Sequence, residues 1–436
     1  EDENLGVGAN MAYGLQHVLT MYGGIVAVPL ILGQAAGLAP GDIGLLIAAS
    51  LFAGGLATLL QTLGVPFFGC QLPLVQGVSF AGVATMVAII GSGGSGGIPA
   101  VLGAVMAASL IGLLITPIFS RITKFFPPLV TGIVVLMIGL TLIKVGLISM
   151  GGGFSAMSNG TFANGENLLL SGVVLGIIVV LNRIPVVWMR SCAIVIALAV
   201  GYALAGYLGR LDFTGMHQAE LFQIPTPLHF GLDFSWPLFI PMLVIYLVTS
   251  LEAIGDVTAT SKVSKQPVEG PLWMQRIKGG VLVNGANSFL AGIFNTFPSS
   301  VFAQNNGVIQ LTGVASRYVG LWIAAMLVLL GLFPSVAGVI QAVPEPVLGG
   351  AAMVMFGAVA ASGINILAGI QLDRRALLII AVSLALGLGV SQVPEFLAHM
   401  PAALRNVLES GVATGGICAL LLNWFLPESP VQKAGP

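Results

Sequence analysis

Runs of apolar residues about twenty long, the length that crosses a bilayer as a helix, follow one another from Met11 to Leu426 with few charges inside them. A chain of that kind must satisfy every backbone N–H and C=O within its own helices, so it is predicted to be an all-α polytopic membrane protein. The composition agrees, with 57% hydrophobic residues, 7% charged and a mean hydropathy of +1.02, where a soluble domain carries about 25% charged residues. A net charge of −1 provides no basic stripe for phosphates, which argues against a nucleic-acid partner. Cys70, Cys192 and Cys418 stand singly without metal or redox spacing and read as packing residues. The first residues, Glu1-Asp2-Glu3-Asn4, read as a trimmed terminus rather than a signal peptide.

Fourteen spans are expected, over residues 11–33, 43–64, 72–90, 98–118, 129–147, 168–181, 192–208, 238–257, 277–293, 302–312, 319–332, 347–364, 377–390 and 412–426. With a cytoplasmic N-terminus, the inner loops hold Arg121, Lys124, Arg183, Arg190, Lys262, Lys265, Arg276, Lys278, Arg317, Arg374 and Arg375, and the outer ones only Arg210 and Arg405. This is the positive-inside asymmetry, with both termini cytoplasmic. The polar stretch after Gly151 and the outer loop holding Asp212, Glu220 and Asp233 read as solvated connections.

Two halves match. Pro127-Pro128-Leu129-Val130-Thr131-Gly132 opens the fifth span as Pro344-Glu345-Pro346-Val347-Leu348-Gly349-Gly350 opens the twelfth, and the interrupted third span corresponds to the interrupted tenth. Seven spans followed by seven must be inverted, and broken helices at equivalent places in inverted halves point to a midplane binding site. Gln71-Leu72-Pro73 is expected to start the third span extended, and Thr296-Phe297-Pro298 does the same before the tenth. The two half-helices would then turn unpaired N–H groups and positive dipole ends toward a solute.

The tenth span carries Gln304-Asn305-Asn306-Gly307 and ends at Thr312-Gly313. Polar, helix-loosening residues at membrane depth usually line a cavity, although bridging between neighbouring helices is the alternative use of such amides. On the eighth span Glu252 and Asp256 are four apart, hence on one face. An ionised carboxylate at a helix centre costs about 2.5–3.5 kcal/mol or more, so Glu252, the deeper of the two, is expected to be functional and to share a proton with Asp256. Asp256 otherwise sits near the cytoplasmic end in a structural role. His17 either donates across to the eighth span near Glu252 or is a satisfied core histidine. Lys144 is expected to snorkel to an interface. Phe80, at the break of the third span, is either packing or a flat face for a planar solute.

These residues resemble the nucleobase–ascorbate transporter family, in particular its bacterial xanthine and urate members. Gln304, Asn305, Gly307, Thr312 and Gly313 match the family signature, and the likeness runs through Gln16-His17, Phe80, Leu251-Glu252-Ala253-Ile254-Gly255-Asp256, Lys278-Gly279-Gly280 and Gly313-Val314-Ala315-Ser316-Arg317. The resemblance implies a seven-plus-seven inverted repeat with a core domain in residues 1–124 and 237–340, a gate domain in 125–236 and 341–436, and a homodimer formed through the gate. It also implies that Glu252 and Gln304 grip a purine nucleobase, Phe80 stacks on it, and backbone near Ser79 and Asn305 completes the pocket, with Glu252, Asp256 and His17 handling a coupled proton. Gln304 with Gly313 points to a purine rather than uracil.

One residue departs from the pattern. Asn284 stands in the ninth span where relatives of the xanthine type commonly carry an acid, so proton coupling would rest on the other three groups, or be absent. The expectation is a secondary transporter of the inner membrane, in contact with lipid and with no cofactor beyond protons, moving xanthine, urate, guanine or hypoxanthine by an elevator movement of the core. The alternatives are an anion exchanger of the same architecture, resembling sulfate permeases, and an uncoupled nucleobase facilitator. A channel would need a continuous water path and rings of carbonyls or charges. No His-Glu-x-x-His or Gly-x-Ser-x-Gly stands in a span, so an enzyme is not expected.

Overall fold

Proline and glycine place the helix ends. Pro40 opens α2 (Pro40–Leu63) and Pro128 opens α5 (Pro128–Met150), each at a first-turn position where its missing N–H costs nothing. Gly64, in the left-handed region at φ 62°, stops α2 by returning its N–H to the Leu60 carbonyl. The computed structural model describes residues 2–91, 97–122, 127–186, 189–190, 193–211, 222–268, 270–302, 305, 308–309, 312–333, 343–401, 404–405, 408–409 and 411–426.

Among them the remaining helices are α1 (Val7–Ala35), α3 (Val83–Gly91), α4 (Gly97–Ile122), the short α6 (Gly153–Ser158), α7 (Gly165–Arg183), α8 (Ala193–Tyr207), α9 (Trp236–Val263), α10 (Gly270–Ile293), α11 (Arg317–Leu332), α12 (Glu345–Ala368), α13 (Arg374–Gln392) and α14 (Gly411–Phe425). Eight of the described helices are long and apolar enough to cross a membrane. In α7 and α13 only 33% and 28% of the apolar window is buried, so most of that surface is left for lipid or another chain. The stretch after Gly151, expected to be a loop, contains α6.

Small residues set the packing. Along α5, Gly132, Gly139 and Gly146 lie at seven-residue intervals, and a Cβ on them would run into Leu367, Ala360 and Phe356 of α12 respectively; Gly349 of α12 closes in the same way on Met150. Ascending numbers on one helix meet descending numbers on the other, so α5 and α12 are antiparallel, joined by the close backbone approach that small residues allow between apolar helices. Gly55 and Gly331 bring α2 and α11 together antiparallel, and Gly285 and Gly292 do the same for α10 against α4.

Two short strands cross at the centre. β1 (Gln76–Val78) pairs antiparallel with β2 (Ser299–Val301), with Gln76 opposite Val301, Gly77 opposite Ser300 and Val78 opposite Ser299. The ladder is extended by Phe302 N–H to the Val75 carbonyl (2.9 Å) and Ser79 N–H to the Pro298 carbonyl (2.7 Å). Its outer edge is closed by α2, where the Thr58 hydroxyl accepts from the Gln76 N–H at 3.0 Å. Backbone that leaves a helix at this depth must find such partners, because no water replaces them. Extended backbone was expected at Gln71-Leu72-Pro73 and Thr296-Phe297-Pro298; the strands begin a few residues later, at Gln76–Val78 and Ser299–Val301. β1 leads into α3, and after β2 the described residues Asn305, Val308, Ile309 and Thr312 are helical.

Candidate functional site

The strand crossing brings three segments from distant parts of the chain to one place. From α9, Glu252 accepts a hydrogen bond from the Ser300 hydroxyl of β2, Oγ to Oε2, at 2.9 Å. Next to it in β2, the Ser299 hydroxyl donates to Gln76 Oε1 at 2.8 Å, which ties the two strands through side chains as well as backbone. Asp256 lies one turn beyond Glu252 and is half-buried.

Behind β2 runs a second hydrogen-bonded chain. The Ser299 N–H donates to Ser288 Oγ (3.0 Å), the Ser288 hydroxyl to the Asn284 carbonyl (2.8 Å), and Asn284 Nδ2 to Thr249 Oγ1 (3.3 Å). Asn284 is fully buried, and its Oδ1 has no hydrogen-bond partner among the described residues. The departing residue therefore braces α10 against α9 behind the strands.

His17, 1% exposed in α1, meets Asn305. Asn305 Nδ2 lies 2.9 Å from His17 Nδ1 and 3.3 Å from the His17 carbonyl oxygen. With the amide donating, Nδ1 accepts and the ring proton sits on Nε2. The sequence left His17 either donating across to the eighth span near Glu252 or a satisfied core histidine; the hydrogen bonds it makes here are with Asn305. Asn305 Oδ1 is buried without a partner among the described residues.

Phe80 follows β1, 8% exposed, with its ring edge-on to Phe302 (centroids 6.3 Å apart) and to Phe356 of α12 (5.2 Å, 78° between planes). Phe302 fits because Gly24 of α1 and Gly77 of β1 have no side chain where its ring lies. The Ser79 hydroxyl accepts from the Ala81 N–H at 3.1 Å and holds the turn that carries Phe80.

At the far end of the motif, Thr312 donates to the Val308 carbonyl (2.7 Å) and accepts from the Val314 N–H (3.2 Å), and Gly313 takes φ 69° with its N–H on the Ile309 carbonyl. These two residues terminate the helix, a position where a left-handed conformation favours glycine. Gln304, Asn306 and Gly307 lie outside the described residues, as do Cys192, Asp212 and Glu220.

The structure thus brings Ser79, Phe80, Glu252, Asn305 and His17 around one strand crossing, with Asn284 behind it. Sequence reasoning missed Ser300, Gln76, Ser299 and Phe356. Register with Gly77 was the signal for Ser300, but it becomes readable only once the strands are known to pair. Phe356 is one of 22 phenylalanines and carried no signal of its own. Chemically, the crossing offers a carboxyl group, hydroxyls, an amide oxygen and an aromatic ring, groups able to hydrogen-bond and pack against a small solute.

Comparison with known proteins agrees in kind. Residues 8–396 match a family described as a Permease family. The chain is 50% identical to xanthine permease XanP of Escherichia coli (strain K12), covering 94% of this chain and 90% of that one. It is 41% identical to xanthine permease XanQ of the same organism (96% and 91% covered) and 39% identical to uric acid permease PucJ of Bacillus subtilis (94% and 91%). In fold it is similar to the transmembrane domain of the cyanobacterium bicarbonate transporter BicA, with a TM-score of 0.58 at 16% identity over 97% of this chain and 98% of that one. It is likewise similar to murine Slc26a9, with a TM-score of 0.59 at 13% identity over 98% and 69%.

Proposed function

This chain belongs to the nucleobase–ascorbate transporter family and is an integral membrane transport protein, and from that premise we propose that it carries a purine nucleobase across the inner membrane. The observation that carries the reading is the convergence of Phe80, Glu252 with Ser300, and Asn305 with His17 on a buried strand crossing. Glu252 and Gln304 grip the ring's N–H and carbonyl groups, Phe80 takes its face, and the backbone at Ser79 and Asn305 closes the pocket. Relatives named as xanthine and uric acid permeases, at 39–50% identity over nearly the whole chain, support the purine class.

The proposed architecture is fourteen spans in a seven-plus-seven inverted repeat. The antiparallel contacts support it: α5 with α12, and α2 with α11 as α10 with α4, are the pairings that an in-plane two-fold axis generates. The third and tenth spans are discontinuous, each a strand followed by a half-helix. Residues 1–124 and 237–340 form the core; 125–236 and 341–436 form the gate, through which two copies associate, with both termini cytoplasmic. Transport proceeds by movement of the core against the gate with one proton-bearing group in the site. An amide holds no proton, so with Asn284 at its position the proton rests on Glu252, with Asp256 and His17 as its neighbours.

The fold likeness to BicA and Slc26a9 concerns architecture alone, and without a coupled proton an ionised Glu252 would repel an anion at the crossing, whereas a proton on Glu252 lets a purine, neutral or anionic, bind there. Uptake of radiolabelled xanthine, urate, guanine and hypoxanthine into proteoliposomes, with and without an imposed pH gradient, tests the proposal. Saturable uptake accelerated by an inward proton gradient is expected. Saturable uptake indifferent to the gradient identifies an uncoupled facilitator, and no uptake or competition by any purine ends the reading.

A further inference from the structure

A cavity of about 760 Å³ opens beside the site, between the helices that carry it and those packed against them. One wall is a single face of α3 and the turn before it, Ala81, Thr85 and Ile89, with Pro241 of α9; the other is α5 around Lys144, with Leu388, Ser391, Pro394, Glu409 and Val412. Ala81, the residue next to Phe80 in the chain, lines the cavity, which places the cavity beside the proposed site.

Among the described residues, two charged side chains line this space, Lys144 and Glu409. Glu409 faces Arg405, whose Nε lies 3.5 Å from its Oε1. Lys144 lines the cavity, is exposed, and has no ion pair or hydrogen bond among the described residues. Its side chain lines the same cavity as Ala81, the neighbour of Phe80 in sequence. With Glu409 and Arg405 offsetting each other, the vestibule keeps one uncompensated positive charge between low-dielectric walls, an arrangement that concentrates anions.

We propose that this cavity is a capture vestibule for anionic purines, in which Lys144 holds the negative charge of the solute before the ring passes Ala81 to Phe80. The inference deepens the purine-transport reading and rests on it. A solute such as urate, an anion at neutral pH, gains from the vestibule, whereas a neutral purine such as hypoxanthine does not. The deeper site then takes the ring by hydrogen bonding and stacking, independently of Lys144.

The test is the KM and kcat of radiolabelled urate uptake in proteoliposomes, with hypoxanthine as substrate or competitor, for the unsubstituted protein, K144Q and K144R. K144Q is expected to raise the KM for urate by about threefold to tenfold, in line with electrostatic steering, with kcat unchanged and the hypoxanthine constant unmoved. K144R should restore the urate KM, and added salt should raise it in the unsubstituted protein but not in K144Q. Equal effects on both purines, or equal loss in K144R and K144Q, would show packing rather than charge and overturn the inference. Purine uptake that K144Q leaves unaltered overturns this inference alone; no uptake of any purine by the unsubstituted protein overturns the transport reading and this one with it.

Discussion

The Ser300 hydroxyl, on a three-residue strand, donates to the carboxyl group of Glu252 on a helix nearly fifty residues earlier, at 2.9 Å. Such a bond contributes about 0.5–1.5 kcal/mol while the carboxyl group carries its proton and about 1.5–3 kcal/mol once it has released it. Ser300→Ala should therefore lower kcat/KM for purine uptake by up to about a hundredfold while the protein still reaches the membrane. Uptake kinetics set against surface expression check this, and an unaltered kcat/KM would place the pair outside the site.

Asn305 spends its amide nitrogen on His17 and leaves Oδ1 without a protein partner among the described residues. If that oxygen receives a solute N–H, Asn305→Ala removes one hydrogen bond and loosens His17. The expected result is at least about a tenfold rise in the inhibition constants of purines, largest for those with an N–H where the oxygen points. A competition panel of methylated purines reads it, and a uniform small change across the panel would count against the contact.

Phe356 crosses from α12 to touch the Phe80 ring at 5.2 Å. Truncation to Ala leaves room beside Phe80. Bulkier purines, methylated on the ring edge, should then compete where they did not before, while xanthine affinity falls by less than about tenfold, the range of a lost aromatic pair. A competition profile that stays the same would show that Phe356 is packing alone.

Gly139 faces Ala360 with no space for a side chain. Gly139→Leu should separate α5 from α12 and destabilise the fold by at least about 1–3 kcal/mol, the usual cost of overpacking. Thermal unfolding in detergent, followed by size-exclusion fluorescence, should show a lowered midpoint, whereas Gly172→Ala, at a position with open space, should not.

The sequence made the apolar spans and the polar break legible because both follow from one cost, that of unsatisfied polar groups in lipid. Glu252 and Asn305 stood out against an apolar background for the same reason, and Phe80 only by its place at the break of the third span. Ser300 did not, since a serine in a serine-rich stretch acquires meaning only from its strand register. His17 was legible as a buried polar group but not in its partner, since which helix passes α1 at that depth is a matter of packing. Lys144 was legible as a lone cation among apolar residues; that those residues enclose a cavity is visible only in three dimensions.

The central claim is that the carboxyl group of Glu252 at the strand crossing holds a purine. Equilibrium binding of radiolabelled xanthine and urate to the purified protein and to Glu252→Gln tests it most directly. Saturable binding of at least one of these by the unsubstituted protein, weakened by about tenfold or more in a folded Glu252→Gln variant, is the predicted result. Equal affinity in the two proteins would contradict it.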